Sequence, residues 1–162
     1  MSAIKSLIIL LLMLCASIVT GCIHAADGAI DKQCSSLVTT FFRLPMKEQI
    51  AQFDKRDLKD QYTLLICGNQ AIHPPALYLT HHLAKRGQIA AVFLKGELSA
   101  AKDDLTIRDI VMVFTEMSRQ HTYDVAGDTA LLAAIDSRVR TMKDSEWKSF
   151  VTQRAAEIRS NH

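Results

Sequence analysis

QIAAVFLKGELSAA, residues 88–101, is apolar on most sides of a helical projection: Ile89, Val92, Phe93, Leu94 and Leu98 surround the axis, and a lone Gly96 interrupts them. A helix apolar all round is usually buried. The stretch therefore reads as the central helix, with the rest of the chain packed around it. Gly87 closes the helix before it, after Lys85 and Arg86, cations that suit the negative end of that helix's dipole. Beyond it, Thr106 and Asp109 make a capping-box-like start, with Asp in place of Glu, for a stripe of Ile107, Ile110, Val111, Phe114 and Met117.

The same spacing continues in both directions. Upstream, His73-Pro74-Pro75 is the strongest punctuation in the chain. A residue before proline is pushed out of the helical region, so His73 belongs to a junction. Pro74 and Pro75 open a helix with the stripe Ala76, Leu79, Thr80 and Leu83. Before it, Asp57 caps a helix carrying Leu58, Tyr62, Leu65 and Ile66, which ends near Gly68-Asn69. Pro45 suits the first turn of a short helix with Met46, Ile50 and Phe53 on one side. Ile30, Cys34, Leu37, Val38 and Phe41 form one face of the first helix. Downstream of Tyr123-Asp124, a helix carries Leu131, Leu132, Ile135, Val139 and Met142. Asp144 or Ser145 caps the last, with Trp147, Phe150, Val151 and Ile158 inward.

This pattern predicts an all-α fold of seven or eight helices and leaves no place for a sheet. Short loops favour antiparallel neighbours, so residues 30–162 read as a single compact domain. An orthogonal bundle is the first choice. A short helical solenoid is the second, because hairpins start near residues 57, 88 and 124, although no residue signature repeats at a fixed period.

The chain opens differently. Lys5 is the only charge before Asp27, and residues 7–19 are apolar apart from Ser17. A basic start before such a run matches an export signal, and the run is shorter than the roughly 20 residues a membrane-spanning helix needs. Two cuts fit. Val19-Thr20-Gly21-Cys22 is similar to a bacterial lipobox, which makes residues 1–22 the signal, Cys22 the lipidated N-terminus and residues 23–29 a short tether. Ile23-His24-Ala25-Ala26 offers an ordinary cut near residues 25–26 but matches A-x-A poorly. The lipobox is preferred. Ile23, rather than Asp, after the cysteine favours the outer membrane, and several acyl chains would hold the protein there.

The chain has 19 basic and 17 acidic residues, and the leader holds only Lys5 among them, so the mature protein is near neutral and shows no footprint for nucleic acid. Without the leader and tether, two cysteines are left, Cys34 and Cys67. In an exported chain an even pair reads as a disulfide. It closes a loop of about 34 residues, worth about 3–4 kcal/mol by chain entropy.

Motifs for chemistry are scarce. His81 and His82 point about 100° apart on a helix and cannot chelate as an i,i+4 pair does, so no metal site and no cofactor are expected. Asp103, Asp104 and Asp109, and Asp124 with Asp128, lack calcium-loop spacing and read mainly as helix caps. No G-x-S-x-G, H-E-x-x-H or phosphate-loop motif occurs, which argues against an enzyme. Tyr78 lies off its helix's apolar stripe beside His81 and His82, so His73, Tyr78, His81 and His82 are the candidate partner surface. The functional expectation is an exported, lipid-anchored, non-catalytic protein-binding or assembly factor on the periplasmic side of the envelope. It would dock a segment of another envelope protein in an interhelical groove. The alternatives are a periplasmic immunity protein neutralising a toxin and, behind it, a small-ligand binder or enzyme.

Overall fold

The computed structural model describes residues 34–160. The leader, Cys22, the tether and Ile30 lie outside them. Residues 34–39 are helical, and a 3-10 turn follows at Phe41–Arg43. Then come α1 (Met46–Phe53), α2 (Leu58–Gln70), α3 (Tyr78–Ala84), α4 (Gln88–Ala100), α5 (Asp104–Gln120), α6 (Thr129–Thr141) and α7 (Ser145–Ser160). Among the described residues there is no strand. Cys34 and Cys67 are disulfide-bonded to each other.

Most helix starts follow from local chemistry. Asp57, Asp103 and Asp128 each accept a hydrogen bond from the backbone N–H three residues on, at 2.8, 2.7 and 2.9 Å. Asp144 accepts from the N–H groups of Glu146 and Trp147. Such caps satisfy donors that the first turn leaves orphaned, and each is worth about 1 kcal/mol. The cap of α5 is therefore Asp103, not Thr106. Asp109, expected beside that cap, instead lies fully buried.

The central helix is α5. It packs against α2, α3, α4, α6 and α7, and nine of its 17 residues are buried, including Ile107, Ile110, Val111, Phe114 and Met117. One helix enclosed by five others makes a bundle rather than a stack of repeats. Residues 88–101 do not hold that place. α4 buries Ala90, Ala91, Leu94 and Leu98, but Ile89 and Val92 are 64% and 61% exposed. Apolar residues on both sides of a helix show that either side could be covered, not that both are.

Three further differences concern local roles. α2 ends at Gln70, close to the expected stop near Gly68-Asn69, but Gly68 itself lies inside the helix. A Cβ there would come within 2.8 Å of the Ala76 Cβ, so the glycine serves close packing inside the helix. Met46 is 58% exposed, and Gln49 takes the inward position on α1 by donating to the Leu44 carbonyl at 2.7 Å. Pro74 and Pro75 precede α3, which starts at Tyr78, although Ala76, Leu79, Thr80 and Leu83 are all buried as their spacing requires. Gly87 has φ +56°, and a Cβ there would sit 2.6 Å from the Thr122 carbonyl oxygen, so the α3–α4 turn requires glycine.

Candidate functional site

Three helices leave a cleft of about 260 Å³ between them. α5 contributes Met112, Thr115, Glu116 and Arg119, which share one face at i, i+3, i+4 and i+7. The start of α3 contributes Leu77, Thr80 and His81, and α7 contributes Phe150 and Arg154, one turn apart. Leu77, Met112 and Phe150 make the cleft partly apolar, and Leu77 is 51% exposed.

Its polar groups are mostly committed to one another. Glu116 Oε1 lies 2.9 Å from His81 Nδ1 and accepts from Gln120 Nε2 at 2.8 Å, while Oε2 accepts from Arg119 at 3.2 Å. Partial burial alone would raise the Glu116 carboxyl. The hydrogen bonds from Gln120 and His81 and the charge of Arg119 outweigh it and hold the carboxyl below its ordinary value. Arg154 donates to Glu157 at 2.6 Å and lies over the Phe150 ring, 4.9 Å from its centroid. Thr80 differs from these groups: its Oγ1 is buried and has no hydrogen-bond partner.

No protein-family model, curated protein or solved structure matches this chain.

Of the four residues singled out in the sequence, His81 and His82 stand with their rings edge to face, 5.7 Å apart, but take different partners. His81 lines the cleft. Tyr78 is half-buried, and its hydroxyl donates to Gln49 Oε1; burial raises that hydroxyl above its usual pKa. His82 reaches Asp54 at 3.0 Å, so Tyr78 and His82 fasten α3 to residues of α1 and its end rather than to the cleft. His73 is exposed at the junction, after which the peptide bond to Pro74 is cis. Met112, Glu116, Arg119, Phe150 and Arg154 were not anticipated. Their i, i+4 and i, i+7 spacings were visible, but nothing in the chain indicated that the faces of α5 and α7 meet beside Leu77.

Two other polar clusters are structural. Asp109 accepts from Arg108 at 2.7 Å and from Gln70 at 3.0 Å, and the Arg108 guanidinium lies 4.4 Å over Trp147, which ties α2, α5 and α7 together. Burial raises the Asp109 carboxyl above its usual range despite Arg108 and Gln70, which pull it down. Asp128, besides capping α6, accepts from Lys95 at 2.7 Å and from the Tyr123 hydroxyl. Burial opposes its ionisation, but Lys95, Tyr123 and the Leu131 N–H lower it to about 2. Among the described residues, no three His, Cys, Asp or Glu side chains gather as a cation site, and no helix is long and apolar enough to cross a membrane.

Proposed function

We propose that this chain is an exported, lipid-anchored, non-catalytic binding factor of the bacterial cell envelope, which holds a segment of another envelope protein between α3, α5 and α7. The cleft carries this reading. It combines a half-exposed Leu77 with Met112, a Phe150 wall and two arginines, Arg119 and Arg154. Glu116 is held by His81, Gln120 and Arg119, which suits positioning better than proton transfer. The leader with Val19-Thr20-Gly21-Cys22 supports export and anchoring, and the disulfide is consistent with an oxidising compartment.

Site-specific photocrosslinking tests it. A benzophenone amino acid is placed at Leu77 in one strain and at Ile89, an exposed residue of α4 that does not line the cleft, in another. The reading expects a discrete crosslinked envelope protein from Leu77 and none from Ile89. Equal products from both positions, or none from Leu77, would reject it. Intact mass of the mature protein tests the anchor: diacylglyceryl at Cys22 is expected, and an unmodified N-terminus at Asp27 would remove it.

A further inference from the structure

Resting on this reading of the cleft, we infer that its occupant is an acidic–apolar peptide segment: an apolar side chain lodged against Leu77, Met112 and Phe150, with a neighbouring carboxylate held by Arg154 and Arg119. Size argues first. About 260 Å³ lies below the range of roughly 300–1,000 Å³ usual for small-molecule pockets, and it suits one or two anchoring side chains of a larger partner.

Charge argues second. Glu116 already faces three donors, so it offers a cationic ligand little. Arg119 and Arg154 each spend one terminal nitrogen on a protein carboxylate, Glu116 and Glu157 respectively. A guanidinium carries five N–H donors in a planar fork that fits a carboxylate. Stacking on Phe150 holds Arg154 in place at the edge of the apolar lining, where an acidic residue beside an apolar anchor would fall.

The test pans a phage-displayed random dodecapeptide library against the disulfide-intact mature protein, and measures the enriched peptides by fluorescence polarisation. The expected sequences carry Asp or Glu within one or two residues of Leu, Met or Phe. Their affinity should fall about tenfold in Arg154→Gln. It should also weaken when salt rises from about 50 to about 500 mM, a readout that needs no variant. Circular dichroism and Tm confirm that each variant folds. Enriched peptides that lack acidic residues and ignore both salt and Arg154→Gln, yet are blocked by Leu77→Arg, would overturn this inference and leave the cleft reading standing. Peptides indifferent to Leu77→Arg, or no enrichment at all, would overturn both.

Discussion

Asp109 and Glu116 stand two turns apart on α5, on nearly the same side of one helix, and their carboxyls are shifted in opposite directions. Asp109 is fully buried, with Arg108 and Gln70 as partners, and the cost of removing its charge from water dominates. Glu116 keeps 18% of its side chain exposed and faces His81, Gln120 and Arg119, so attraction dominates. Position along the helix cannot account for this. What differs is the depth of cover: Asp109 is fully buried against Gln70 of α2, while the cleft leaves Glu116 partly open to solvent. The buried group acts as a clamp, and the open one is available to shape a binding surface.

Breaking the clamp should have the largest effect. Asp109→Ala strands Arg108, whose side chain is only 13% exposed, and should cost about 3–5 kcal/mol in urea unfolding. Asp109→Asn, which keeps a hydrogen-bonding oxygen near Gln70, should cost less. Equal losses in the two variants would assign the stabilisation to charge alone. The apolar counterpart is Leu94→Ala on the inner face of α4, where truncating a fully buried leucine should cost about 2–5 kcal/mol.

The comparison also marks how far the sequence could be read. Helical spacing located the buried stripe of α5 and the buried Leu79, Thr80 and Leu83 of α3, because apolar periodicity follows directly from which side of a helix meets its neighbours. Caps at Asp57 and Asp144 were legible for a similar local reason. Asp109 was not. A carboxylate in a run of aspartates near a helix start looks like a cap, and what marks it as a buried clamp, Gln70 and the Trp147 stacked on its neighbour Arg108, lies in segments distant in sequence. The cleft was only partly legible, through His81, because it exists where three helix faces converge. The placement of α4 failed differently: its composition permits burial on two sides, and the fold covers one.

Acid titration sharpens the contrast at smaller amplitude. Asp109's folded carboxyl is held above its unfolded value, so its contribution to stability falls as pH rises from the ordinary carboxylate range through the raised value. Glu116's is held below, so its contribution is present above the unfolded value and is lost as pH falls through the lowered one. Stability differences between wild type and Asp109→Asn, and between wild type and Glu116→Gln, should therefore slope in opposite directions with pH. At neutral pH Glu116→Gln should cost about 1 kcal/mol or less, because Arg119 and His81 are substantially exposed. Parallel slopes would show that the two carboxylates sit in more similar surroundings than their partners indicate.

The smallest effect is expected on the outer face of α4, where the reading of residues 88–101 and the structure diverge most. Ile89→Lys and Val92→Lys each replace a side chain that is more than half exposed, so each should change stability by no more than about 0.5 kcal/mol. Gly96 on the same helix has no atom within 4 Å of where a Cβ would sit, so Gly96→Ala should stabilise the helix by about 0.5–1 kcal/mol through backbone entropy. A loss of several kcal/mol in either lysine variant would mean that this face is covered in solution, and a Tm that rises with protein concentration would attribute the cover to a second copy of the chain. Near-neutral lysine variants with a stabilising alanine would instead confirm α4 as an outer helix. They would also tie the outward apolar residues to composition alone, leaving the cleft between α3, α5 and α7 as the surface where substitution should affect binding more than folding.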